Sequence, residues 1–552
     1  MKTLKHSLLL TTTFLILLSI KINSQVFEWA KSISSSQGDV TGSGISVDAN
    51  GNSYIVGDFT GTADFGTTQL TSFGVNDVFI AKYDPNGNCL WARHGGGKSY
   101  DYGFGISVDA IGNSYITGIF FDTVMFGAIQ LIDLSSGYTD LFIAKYDPNG
   151  NCLWAINAGG MFSDVGYGVS ADKTGSVYVT GKFAASASFG TKQLTSYGSY
   201  DIFLAKFDAN GNCLWAKNAG GIGEDIGQGI STIPNGNNCV ITGLFRDTAK
   251  FGANELISAG MQDMFIAKYD PNGNCVWARQ GGGSDQDQGT SVFVDPFGKS
   301  YVTGTFNSFA SFGTIQLASQ GFSDVFTAYY DVYGNCSWAK QAGGPYTDES
   351  FGISVSKTGN IYITGDFYGT AVFGTHQLTS NGVDIFVVKY DPDGNSFWAK
   401  QAGGESTDNG FDITTDTVGN VYLTGRILTS AAFDTTHLNV NQFGAFVAKI
   451  VESPVGIKNE LTSIPADYSL SQNYPNPFNP STTIKFSLPK EVYVTVNIYN
   501  SMGEDVSKLI SKEMNPGEYT TEWNASGFSS GVYFYRIVAD NFIQTKKLLL
   551  IK

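Results

Sequence analysis

The chain has 552 residues, 14% of them aromatic, with 67 Gly and 15% charged residues. So many apolar and so few charged side chains do not suit a disordered protein, and the length accommodates two or more domains. The net charge of −16 argues against nucleic acid as a partner, because phosphate neutralisation needs a basic surface.

Residues 1–24 read as a secretory signal peptide. Lys2 and Lys5 supply a positive start, "SLLLTTTFLILLSI" a short apolar stretch, and Ser24 a small residue before a cut at Gln25. No other run is long enough to cross a bilayer, so no transmembrane segment is expected in the mature chain.

From residue 25 a single phrase recurs. "YDPNGNCLWA" stands at 83–92 and at 146–155, with relatives at 207–216, 269–278, 330–339 and 390–399. The tryptophans Trp29, Trp91, Trp154, Trp215, Trp277, Trp338 and Trp398 are 60 to 63 residues apart. Each unit holds four short β-rich runs, as in "GISVD" (44–48), "SYIVGDF" (53–59), "DVFIAKYD" (77–84) and "CLWARHG" (89–95). In "DPNG", Asp84 accepts backbone hydrogen bonds, Pro85 presets φ for a type I turn, and Gly87 takes the left-handed conformation that closes the hairpin.

Four strands repeated seven times predict a seven-bladed β-propeller over residues 25–450, all-β and built of ~61-residue repeats. The last unit ends after "GAFVAKI" (444–450) without its Trp strand, and "VFEWAKS" (26–32) supplies it from the other end of the chain. Such a closure leaves no half-finished blade with an open edge. The "ISVD" strands then line the central channel. The short turns fall on one face, and the longer "FGTTQL"-type and between-blade loops fall on the other, where binding is expected. The fourth blade ("STIPNGNN", with Pro234) and the fifth depart most from the others, and their departures lie in hairpin turns. On "VDANGNSYIVG", "DVFIAKYDPNGNCLWA" and their copies, the units resemble the SBBP-type β-propeller repeat of bacterial extracellular proteins. That resemblance speaks to fold and little to activity.

Cys89, Cys152, Cys213, Cys275 and Cys336 recur at one site of the repeat, with Cys239 on a different strand. Copies in neighbouring blades are expected more than roughly 10 Å apart, whereas a disulfide needs Cα atoms within about 7 Å. They are expected as buried small apolar residues, and the adjacent Trp as core residues packing blade to blade.

Three candidate chemistries stand out. The between-blade loops carry Asp39, Asp101, Asp164, Asp225, Asp287, Asp348 and Asp408, which would approach one mouth of the channel. There they either ligate a cation such as calcium or cap their own turns. "DPNGN" spaces Asp84, Asn86 and Asn88 like the start of a calcium loop, but its glycine comes two residues early and no bidentate Glu follows. His94, His376 and His437 share no repeat position, and no nucleophile or metallohydrolase motif appears, so no catalytic residue and no cofactor is assigned.

After residue 450 the period ends. Residues 451–465 read as a linker, and 466–552 as a small Ig-like β-sandwich of short strands. The acidity belongs to the repeats: residues 25–450 carry 21 Lys/Arg and 39 Asp/Glu, while 466–552 carry 8 of each. On "YPNPFNPSTTI" (474–484), "GEYTTEW" (517–523), "SSGVYFYRI" (529–537) and "TKKLLLIK" (545–552), this segment resembles the type A C-terminal sorting domain of type IX secretion cargo. The resemblance implies recognition by the type IX machinery through Tyr474, Pro475, Asn476, Pro477, Phe478, Asn479 and Pro480, with Gly531, Val532, Tyr533, Lys546 and Lys547. It further implies removal of the domain after export, attachment to the outer surface or release, and a Bacteroidota-like host.

The whole is read as an exported monomer, a binding scaffold that holds a surface glycan or a protein on its long-loop face. Two alternatives stay open: a polysaccharide lyase or glycoside hydrolase with carboxylates at the channel mouth, and a structural adhesin in which the propeller is a spacer.

Overall fold

The computed structural model describes residues 24–134, 137–233, 238–453, 467–490, 492–514 and 516–551. All but the last residue of the predicted signal, Pro234 and most of the predicted linker lie outside these. Residues 24–453 fall in one compact unit and the C-terminal strands in another.

In the first blade, Val40–Val47 pairs Ser53–Phe59, which pairs Asp77–Tyr83, which pairs Cys89–Gly96, all antiparallel. Five further units repeat this order. The seventh blade takes three strands from Asn409–Ser453 and its outermost strand from Ser24–Ser35, with Trp29 opposite Lys449. The fold is an all-β propeller of seven four-stranded blades closed by the N-terminal strand.

The turns hold as their residues dictate. Asp84 Oδ1 accepts the backbone N–H of Asn86 and Asn88 at 2.9 and 2.8 Å, its Oδ2 accepts the Asn88 amide at 2.9 Å, and Gly87 has φ 80°. These turns thus satisfy their own carboxylates.

The "FGTTQL"-type connections differ from expectation. They are not open loops on the long-loop face. Each forms a small hairpin, as Thr62–Asp64 with Gln69–Thr71, and in every blade its first leg pairs with the outermost strand of the preceding blade. The cause is apolar: Phe65, Phe126, Phe189, Phe251, Phe312, Phe373 and Phe433 of the "FG"-type motif are buried beneath these hairpins. Sheet pairing therefore runs from blade to blade around the outside. The tryptophans also act between blades: Trp29, Trp91, Trp154, Trp215, Trp277 and Trp338 each donate an indole N–H to the next blade's turn, as Trp91 Nε1 to Pro148 O at 3.0 Å.

The cysteines correct a second expectation. All six are free thiols, but only Cys239 is fully buried; the other five are half-buried on the outermost strands at the rim.

In the C-terminal unit, Ser469–Leu470, Ser481–Leu488 and Gly517–Asn524 form one sheet. Asp505–Met514, Val492–Tyr499, Gly531–Ala539 and Phe542–Leu550 form another in that spatial order. They share one core that includes Phe486, Val496, Trp523, Tyr535 and Leu548, the arrangement of a small β-sandwich.

Candidate functional site

The inner strands read G-x-G, or nearly so. A Cβ on Gly44 would meet Phe104 O at 2.8 Å, and one on Gly105 would meet Tyr167 O at 2.6 Å, so glycine lets neighbouring inner strands approach. The residue between the glycines faces the channel. Around the ring these are Ser43, Phe104, Tyr167, Gln228, Thr290, Phe351 and Phe411, and they line a central cavity of about 580 Å³. Such a volume suits a small-molecule or sugar-sized ligand.

The mouth is not seven-fold. On the side of the second and third blades it is aromatic. Tyr100 is exposed and stacks on Tyr102 at 6.4 Å; Tyr102 stacks on Phe104 at 6.4 Å; and Phe104 meets Tyr167 at 5.6 Å. The rings descend from the rim into the cavity. Further exposed apolar side chains, among them Phe73, Leu134, Phe162, Ile222 and Phe322, lie in loops of the same face. Those loops are joined by short bridges such as Asn76 to Tyr100 and Ser323 to Thr347.

On the opposite side the mouth is charged. Arg426 donates to Asn409 Oδ1 at 2.9 Å and lies over the Phe411 and Phe443 rings. The Asn409 amide donates in turn to Asp366. Burial pushes the carboxyls of Asp58, Asp366 and Asp412 up to about 7. Burial also raises Glu349. Asp412 stands where five of the other blades have glycine and one has Ser291, and its Oδ2 accepts the Ile45 N–H at 2.8 Å, joining the last blade to the first.

The seven loop aspartates divide. Asp101, Asp164, Asp225, Asp287, Asp348 and Asp408 are fully buried at the blade junctions, while Asp39 is exposed. Asp164 shows the pattern: Oδ2 accepts the Gly160 N–H at 2.7 Å and Oδ1 accepts the Ala184 N–H at 3.2 Å. No group of three or more His, Cys, Asp or Glu able to hold a metal gathers among the described residues. The histidines stay apart. His94 packs against Phe73 and Phe59, and His376 hydrogen-bonds Ser396 on the rim. The sequence reading did not single out the channel aromatics. The variable middle residue of G-x-G was the signal that could have found them.

In the C-terminal unit the "YPNPFNP" segment wraps one anchor. Phe478 is buried against Trp523 at 5.5 Å, and its N–H and C=O bond Leu549 and Ile551. Asn476 Oδ1 accepts the Leu549 N–H at 2.9 Å. Tyr474, Pro475, Pro477, Asn479 and Pro480 are exposed around this anchor, and so is Lys547, while Lys546 is half-exposed. Tyr533 lies inward, its hydroxyl donating to Ser529 O at 2.9 Å beside the half-buried Gly531 and Val532.

Comparison with known proteins agrees with this architecture. The model of a β-propeller repeat matches residues 28–65, 337–366 and 398–428. The model of the secretion system C-terminal sorting domain matches residues 472–552. An uncharacterized WD repeat-containing protein of Acanthamoeba polyphaga mimivirus is 25% identical over 447 residues, 65% of this chain and 32% of that protein. The regulatory protein FlaEY of Caulobacter vibrioides is 29% identical over 185 residues, 33% of this chain and 19% of that protein. The chain thus spans a third or less of the length of these curated relatives. Among solved structures, YCF48 bound to D1 peptide is similar with a TM-score of 0.36 and 9% identity, over 76% of this chain and 95% of that one. No helix among the described residues is long and apolar enough to cross a membrane. The chain thus carries β-propeller repeats of the SBBP type and, at residues 472–552, a type IX secretion C-terminal sorting domain, which indicates export to the cell surface or the extracellular space.

Proposed function

We propose that the propeller is a non-enzymatic binding protein, which takes a glycan across the long-loop face and into the channel mouth. The observation that carries this reading is the ladder Tyr100, Tyr102, Phe104 and Tyr167, which leads from the exposed rim to the cavity. Sugar rings present apolar C–H faces that stack on aromatic rings, and their hydroxyls need polar partners. Gln228, Thr290 and Ser43 line the same cavity, and Gln228 Oε1 is buried without a partner. The acidic propeller repels polyanions, which favours a neutral glycan.

The test is thermal unfolding of the purified chain against a panel of neutral surface and plant polysaccharides, because ligands that bind only the folded state raise the midpoint. One glycan should raise it, and Phe104→Ala and Tyr167→Ala should each weaken that binding at least about tenfold with the unliganded midpoint still cooperative. A flat response to every glycan would leave the face to a protein partner or a spacer role.

A second reading has its own observation. Asp366 and Glu349 are neighbouring acidic groups at the charged side of the mouth, both with raised carboxyls, near Arg426. Such a set suits general acid–base cleavage of a glycosidic bond. Release of reducing ends from the glycan that binds, abolished by Asp366→Asn, would replace the binding reading with that of an enzyme.

A further inference from the structure

In six blades the third strand carries an aspartate at one equivalent position: Asp77, Asp140, Asp201, Asp263, Asp324 and Asp384. All six are buried, and each faces the equally buried loop aspartate that leads to the next blade. Asp140 shows the geometry. Its Oδ2 accepts the Leu134 N–H at 2.6 Å, while its Oδ1 is buried with no partner. A Cβ placed on Gly159 would stand 2.5 Å from that free oxygen and 2.8 Å from Asp164 Oδ2, so the two oxygens turn toward one point. At Gly282 the corresponding distances to Asp263 Oδ1 and Asp287 Oδ2 are 2.8 and 2.8 Å; at Gly343 those to Asp324 Oδ1 and Asp348 Oδ2 are 2.9 and 2.9 Å. The free oxygen recurs on Asp201, Asp263, Asp324 and Asp384, whereas both oxygens of Asp77 accept N–H groups, from Phe73 and Gly74.

This is much buried negative charge, and no ion pair found among the described residues involves any of these aspartates. A buried carboxylate is costly unless it is paired, protonated or bound to metal. The seventh junction is an internal comparison. Gly444 stands in place of the strand aspartate and Ser34 in place of the outer-strand glycine, and there the loop aspartate, Asp39, is exposed. The burial of the loop acid, the strand acid and the glycine occur together or not at all.

We propose that each of the five junctions with a free strand-aspartate oxygen binds a calcium ion between its two carboxylates, joining adjacent blades. Carboxylate oxygen is the donor that calcium prefers, and the charge of one ion matches that of one pair. The pair can supply two to four of the six to eight oxygens calcium takes. The inference is independent of the glycan reading.

The test uses the purified chain, stripped with chelator at pH 7.5, titrated with calcium chloride and freed of unbound metal. Elemental analysis should count close to five calcium ions per chain, and the unfolding midpoint should rise with calcium. Asp201→Asn combined with Asp225→Asn should lower the count by one. No retained calcium in the unaltered chain, with a midpoint indifferent to it, would overturn the proposal, whether or not the variant folds. A midpoint that responds only to acidification would assign a shared proton to each pair instead.

Discussion

Trp29 Nε1 donates to the carbonyl of Pro85 at 3.0 Å, from the N-terminal strand of the last blade to a turn of the first. The indole lies over Gly87, where a Cβ would stand 2.9 Å from the ring. The same bond links Trp91 to Pro148, Trp154 to Ala209 and Trp215 to Pro271, each at 3.0 Å. The closing junction thus repeats the lock of the internal ones, although its indole stands on a strand that precedes the first blade in the chain and completes the last.

Ring closure is therefore expected to carry stability. Trp29→Ala should cost about 3–5 kcal/mol, the usual range for removing a large buried aromatic. Trp29→Phe, which keeps most of the packing and loses the bond, should cost about 1 kcal/mol. Removal of residues 25–32 should lower the midpoint further than either. Urea unfolding checks all three, and unchanged curves would refute the closure argument.

Stability should depend on pH in an unusual direction. Burial raises Asp140, Asp164, Asp225, Asp287, Asp348 and Asp384 to about 7, and Asp77, Asp201, Asp263 and Asp408 to about 6. In the unfolded chain these groups titrate near 3.9. Between these values the folded state binds more protons than the unfolded one, so unfolding free energy falls as pH rises through the window. The metal-stripped chain should thus melt higher at pH 5 than at pH 8, and calcium should narrow that difference. A midpoint that climbs from pH 5 to pH 8 without metal would contradict the burial of these pairs.

The thiols should be slow. Burial raises Cys89 and Cys213 to about 11, and Cys152, Cys275 and Cys336 to about 12. The thiolate is the reactive form, so the native chain at pH 8 should react with Ellman's reagent at least about tenfold more slowly than the urea-unfolded chain. Rapid labelling of five thiols in the folded protein would show that the rim strands open readily.

Export should separate two roles within "YPNPFNP". Phe478→Ala removes a buried anchor and should unfold the sorting domain. Tyr474 is 81% exposed, so Tyr474→Ala should leave the domain folded and impair only its recognition. Cell fractionation should find both variants, like a chain lacking residues 466–552, retained in the periplasm. Normal surface display of the truncated chain would sink the sorting assignment.

The sequence by itself determined the period, the four strands per blade, the turn chemistry of "DPNGN" and the borrowed strand at Trp29. Each is local, or a repeat of something local, and is carried by the spacing of apolar residues and by residues with restricted φ. The address at the C-terminus was equally legible, because its motif is contiguous. What only the tertiary structure decided depends on residues far apart in the chain. The partnership of Asp140 with Asp164 was hidden because the first letter of "DVFIAKYD"-type strands looks like an ordinary strand start, and its burial appears only when two blades meet. The aromatic ladder escaped because Phe104 and Tyr167 sit 63 residues apart and read as inner-strand variation until the ring brings them within 5.6 Å. The hairpins that join one blade to the next read as loops because their pairing partner, the previous blade's outer strand, is brought alongside by the packing of adjacent blades and not by the neighbouring sequence.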